Sequence, residues 1–132
     1  MRLVTFDQSG AARLGVCIVD GVVDLSLVAP EQPRDLIGLI RAGQDAFAAA
    51  ERAAMNAPGT ARTPLAQVKF LPPVPHPGKI ICLGLNYVDH AAEGGHAKPT
   101  YPSFFMRVAT SLVGQREPIV RPPCSIQLDY EA

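Results

Sequence analysis

His90 and Glu93 stand three residues apart in VDHAAE, between an apolar run and the pair Gly94-Gly95. On a helix that spacing brings both side chains to one side, with Cβ atoms about 5–6 Å apart. A carboxylate beside an imidazole raises its basicity and fixes its tautomer, as a general base that activates water requires. The same spacing also serves as a surface ion pair of about 0.2–0.5 kcal/mol. A second set lies further on, where Ile126, Leu128, Tyr130 and Ala132 alternate with Gln127, Asp129 and Glu131. Period two predicts a half-buried strand over Ser125–Ala132, with Asp129 and Glu131 on one face. Carboxylates so placed can converge on a hard cation such as Mg²⁺ or Ca²⁺, or can form the solvated face of an edge strand.

The remaining candidates are weaker. His76 sits among prolines and reads as a spacer, His96 as an exposed loop residue, and Cys82 as an inert core thiol. No His/Cys spacing matches structural zinc. The phosphate-binding G-x-x-x-x-G-K-[ST], the dinucleotide G-x-G-x-x-G and the nucleophile G-x-S-x-G are all absent from the sequence.

The elements that must position His90 and Glu93 begin with Lys79–Leu83, an apolar run bounded by Pro77-Gly78 and Gly84 that predicts a buried strand. Asn86 then has the character of a helix N-cap, and Gly94-Gly95 ends one or two helical turns over 87–93. Residues 94–102 read as a loop, Ser103–Val108 and Pro118–Val120 as strands, and Gly114-Gln115 as the turn between them.

Upstream, Pro72, Pro73, Pro75 and Pro77 fall within a few residues of one another. Proline fixes φ and removes a donor, so residues 72–78 are neither helix nor inner strand. They read as a connector between a small α+β unit, residues 1–71, and a second unit, residues 79–132. In the first unit, Asp20-Gly21 between Leu14–Val19 and Val22–Leu25 predicts a hairpin with a type I′ turn. Leu36, Ile37, Leu39 and Ile40 recur at helical spacing before Gly43, and an alanine-rich helix is expected over Asp45–Asn56. No convergent set of titratable residues gives this unit a chemistry.

The chain has 132 residues, 48% hydrophobic and 18% charged, with 12 basic residues against 12 acidic ones. That composition excludes disorder. Zero net charge provides no field to hold a polyphosphate, so nucleic acid is not an expected partner. Three well-separated cysteines, Cys17, Cys82 and Cys124, point to free thiols in a reducing compartment. Asp7 interrupts any signal-peptide core, and no run approaches the ~18 apolar residues of a membrane span. The expectation is a cytoplasmic chain with no membrane partner.

Residues 79–93, KIICLGLNYVDHAAE, together with Phe104–Arg107, Ser111–Gly114, Pro118–Val120 and Gln127–Glu131, closely resemble the fumarylacetoacetate hydrolase family. Residues 1–71, with MRLVTFD and DGVVDL, resemble the small N-terminal domain of its bacterial members. The resemblance implies an α+β chain: a small β-sheet/helix unit followed by the first part of a mixed β-roll, in a protein that is usually a homodimer. It implies hydrolysis of a C–C bond in a 1,3-diketo acid, with Mg²⁺, Mn²⁺ or Ca²⁺ as cofactor. His90 and Glu93 match the pair that activates water, Glu131 matches the first metal-binding acid, and Arg107 falls where a cation would hold the substrate carboxylate. Residues 94–102 match a segment that closes over substrate. Isomerisation or decarboxylation of hydroxymuconate-type acids is the alternative within the family.

The sequence departs from the family pattern by stopping at Ala132, before the further metal acids. The expectation is a fragment that lacks turnover by itself. A short native chain would instead be an interaction module pairing through exposed strands.

Overall fold

The computed structural model describes residues 1–87, 94, 95, 97 and 99–131. The chain divides into two compact units, residues 1–74 with 113–132, and residues 75–112. The divide falls in the proline-rich stretch, and residues 79–132 are shared between the two units. Both sheets are antiparallel and helices occur beside them, an α+β arrangement.

The first unit is built on a five-stranded sheet. Its strands are β1 (Arg2–Gln8), β2 (Ala11–Cys17), β3 (Gly21–Asp24), β4 (Arg62–Pro64) and β5 (Lys69–Leu71), in the order β4-β3-β2-β1-β5. Strands β2 and β3 pair as expected, with Val16 opposite Val23 and Cys17 opposite Val22. The two successive positive φ angles expected at Asp20-Gly21 lie elsewhere. Ser9 and Gly10 take φ of 54° and 85° and join β1 to β2, while neither Asp20 nor Gly21 has positive φ. Asp7 stabilises that first turn by accepting from Gly10 N at 2.7 Å. Gly21 answers a different requirement: a Cβ there would stand 2.6 Å from Thr63 O, so glycine lets β4 approach.

Three helices cover one face of this sheet: α1 (Leu25–Val28), α2 (Leu36–Ala42) and α3 (Gln44–Met55). Asp24 caps α1 by accepting from Ser26 N, and Asp35 caps α2 by accepting from Gly38 N. Gly43, at φ 82°, ends α2 and starts α3, a conformation in which a side chain would be strained. Leu14, Val16 and Val23 from the sheet meet Leu25, Leu39, Ala50 and Ala54 from the helices in a single core. Ala50 and Ala54 lie one turn apart, and their small side chains let α3 sit close to the sheet. Thr5 Oγ1 donates to Pro73 O at 2.7 Å, tying the start of the proline stretch to β1.

Residues 112–131 contain no helix or strand. The strands expected at Pro118–Val120 and Ser125–Ala132 are therefore corrected over the described residues. Alternation yields a strand only where a neighbour takes up the backbone groups and a core takes up the apolar face. Neither is present here: Ile126 is 96% exposed and Tyr130 70%. The turn at Gly114 does form, closed by Glu117 N donating to Gly114 O at 3.1 Å.

The second unit contains a two-stranded ribbon, β6 (Ile80–Gly84) against β7 (Ser103–Arg107), with Ile81 opposite Met106 and Leu83 opposite Phe104. Strand β6 was expected to be buried, yet Ile81 is 61% and Leu83 41% exposed. Two strands alone bury little, so among the described residues this apolar face has nothing packed on it. No helix among the described residues is long and apolar enough to cross a membrane.

Candidate functional site

Strand β6 delivers the chain towards the His-x-x-Glu segment. At its end Leu85 takes φ 51°, a left-handed conformation that costs a β-carbon-bearing residue about 1–2 kcal/mol. Sequence reasoning had no signal for this, because leucine is not a residue that favours such a φ. Tyr87, two residues on, is 72% exposed. His90 and Glu93, the expected water-activating pair, lie outside the described residues, as do the helix predicted around them and His96.

Arg107 closes β7 opposite Ile80 and is half-buried. Its Nε donates to Ser111 Oγ at 3.2 Å, and Ser111 Oγ donates in turn to Val108 O at 2.7 Å. The hydroxyl sits in a single 3₁₀ turn, Ala109–Ser111, that follows the strand directly. The serine thus fixes the edge of the guanidinium plane and leaves its terminal nitrogens for another group. Ser111 stands in one of the family-like motifs, but nothing in its spacing from Arg107 announced this contact.

Glu131 is exposed and lies in irregular chain, in the unit formed by residues 1–74 and 113–132, whereas Arg107 belongs to residues 75–112. Asp129 turns one carboxylate oxygen back to accept from Tyr130 N at 2.8 Å. The expected convergence of Asp129 and Glu131 across one strand face is not present. A hard divalent cation takes about six or more oxygen ligands. Among the described residues no group of three or more His, Cys, Asp or Glu side chains could hold a metal ion. The described side chains therefore do not fit a complete metal site. The three cysteines are free thiols, with Cys82 half-buried in β6 and Cys124 exposed.

Comparison with known proteins places these pieces. Residues 79–132 match the family model described as fumarylacetoacetate (FAA) hydrolase C-terminal. Residues 79–132 thus carry this family's C-terminal region, and nearly the whole chain is similar to proteins of the fumarylacetoacetate hydrolase family. Over 136 residues, 99% of this chain and 42% of the relative, it is 38% identical to the mitochondrial oxaloacetate tautomerase Fahd2a of Rattus norvegicus. A crystal structure of maleylpyruvate hydrolase from Sphingobium sp. SYK-6, in complex with manganese(II) and pyruvate, is similar with a TM-score of 0.62 and 34% identity. That likeness covers 93% of this chain and 43% of the other. A fumarylacetoacetate hydrolase from Exiguobacterium antarcticum aligns with a TM-score of 0.53 and 25% identity, over 84% of this chain and 36% of that one. The chain spans about two fifths of the length of the relatives it matches. The fumarylacetoacetate hydrolase relatives thus include both a hydrolase and a tautomerase.

Proposed function

We propose that this chain is part of a divalent-metal-using enzyme of the fumarylacetoacetate hydrolase family that hydrolyses a C–C bond in a 1,3-diketo acid. The observation that carries the reading is the His-x-x-Glu of residues 90–93 inside the stretch that matches the family model. In this reading His90 takes the proton of a water molecule and Glu93 orients the imidazole and supports its charge. The water oxygen attacks the keto carbonyl, the bond to the neighbouring carbon breaks, and the departing carbon leaves as an enolate. Arg107, steadied by Ser111, holds the substrate carboxylate through its terminal nitrogens. Glu131 would hold one position on a divalent ion, which when bound would supply Lewis-acid polarisation of a carbonyl.

A second reading is keto–enol tautomerisation of a 2-oxo dicarboxylic acid, favoured by the 38% identity to an oxaloacetate tautomerase over nearly the whole chain. The two readings share a base at His90 and an enolate beside a carbonyl; they differ in whether the proton comes from water, with a C–C bond breaking, or from the carbon next to the carbonyl.

The test begins with the intact mass of the protein in its source cells, followed by assay of that protein with an acylpyruvate and with oxaloacetate. Cleavage of the acylpyruvate into two acids, lost with EDTA and restored by Mn²⁺ or Mg²⁺, is the expected result. Enol–keto exchange of oxaloacetate without cleavage of any acylpyruvate would replace the hydrolase reading with the tautomerase one. Turnover that persists unchanged in His90→Ala would remove both. The isolated 132-residue chain is expected to show no turnover.

A further inference from the structure

The first unit contains a cleft of about 290 Å³ between the start of β2 and the segment joining α1 to α2. Its polar lining is Arg13, Ser26, Gln32 and Arg34, and its walls include Leu14, Leu25 and Ala29. No carboxylate lines it. The acids nearest in sequence cap helices or are not among the lining residues. Asp24 is buried and caps α1, Asp35 caps α2, and Glu31 is exposed outside the lining. Among the described residues neither Arg13 nor Arg34 forms an ion pair, the pairs present being Met1–Glu51, Lys69–Asp7 and Lys69–Glu117. Arg13 is half-buried and held in place, its Nη1 donating to Ser26 Oγ at 2.6 Å.

Two arginines among the residues lining one cleft, with no carboxylate among them, make a site for an oxyanion. The fork of each matches the two oxygens of a carboxylate, and Arg13 is already oriented by its serine. The volume is at the low end for small-molecule pockets, about 300 Å³ upward, and suits a ligand of a few carbons. The apolar walls favour a ligand with a hydrocarbon backbone over a bare inorganic anion. We propose that this cleft binds a short-chain carboxylate, a dicarboxylate fitting the two arginines best. The lining runs from residue 11 to residue 34, outside the stretch 79–132, and the proposal does not depend on the catalytic reading.

Titration calorimetry of the 132-residue chain with succinate, and separately with inorganic phosphate, tests this. Saturable one-to-one binding of succinate is expected, with phosphate at least several-fold weaker. Arg34→Gln changes an exposed side chain and is expected to weaken succinate binding about tenfold, the loss of one charge-assisted contact. Arg13→Lys keeps the charge but loses the fork and is expected to weaken binding as well, with circular dichroism verifying that each variant folds. The proposal fails if succinate gives no saturable signal above about 1 mM. It also fails if Arg34→Gln binds as tightly as the parent, or if phosphate binds as well as succinate.

Discussion

Gly114 is pressed against the backbone carbonyl of Phe70: a Cβ built on Gly114 would overlap that oxygen. The contact fastens the chain after residue 112 to β5, and Lys69 adds an ion pair to Glu117 at 4.0 Å. Such exposed pairs contribute about 0–1 kcal/mol, so the close backbone packing is the stronger tie. Gly114→Ala forces one of the two backbones to move and is expected to destabilise the first unit by about 1–3 kcal/mol. Gly59→Ala, where a Cβ meets nothing within 4 Å, is the control and should stay within about 0.5 kcal/mol. Urea denaturation followed by circular dichroism compares the two.

Asp35 accepts from Gly38 N at 2.7 Å and so satisfies one of the free amides at the start of α2. Asp35→Ala leaves that amide to water and is expected to cost about 1 kcal/mol. Asn caps nearly as well, so Asp35→Asn should retain most of the stability. Equal losses for both variants in chemical denaturation would mean that the carboxylate acts by its charge and not by its hydrogen bond.

Leu39 has no exposed surface and sits where α2 meets the core. Leu39→Ala is expected to lower stability by about 2–5 kcal/mol, depending on how far the neighbouring helices close the cavity. Ile40→Ala, one residue on, removes a side chain that is 54% exposed and should cost less in the same denaturation series.

The N-terminal unit was legible because its signals are local. Leu36, Ile37, Leu39 and Ile40 announce α2 by spacing alone, and Gly43 announces its end. Asp20-Gly21 was half legible: the strands it separates do pair, but Gly21 is glycine because Thr63 comes close, which is a tertiary fact. The alternation at Ser125–Ala132 was misleading for a related reason, since period two describes a preference that only a neighbouring strand can realise. At the site, residue type and spacing singled out His90 and Glu93. The strained Leu85 and the serine that holds Arg107 depend on backbone geometry and carry no such mark.

Arg107 and Ser111 provide a test of the substrate-holding role. Ser111→Ala removes the acceptor for Nε without removing the cation. In the proposed enzyme, looser positioning of the guanidinium is expected to raise KM several-fold with little change in kcat, the pattern of lost ground-state binding. Arg107→Ala should raise KM further, and Arg107→Lys should fall between the two because it keeps the charge but not the fork. A fall in kcat at constant KM would place Arg107 in the chemical step instead.

His90 and Glu93 are proposed to act as a pair, and a pair makes a specific kinetic prediction. Loss of a positioned general base lowers turnover by about 10²–10⁴-fold, the range expected for His90→Ala. Glu93→Ala removes only the group that orients the imidazole and should cost less. If Glu93 works through His90, it has nothing left to orient once the histidine is gone. The double variant should then be no slower than His90→Ala, a coupling as large as the Glu93 effect itself. Steady-state rates for the four proteins decide the matter. Independent effects that multiply would mean that Glu93 contacts the substrate or water directly, and the histidine would then be acting without it.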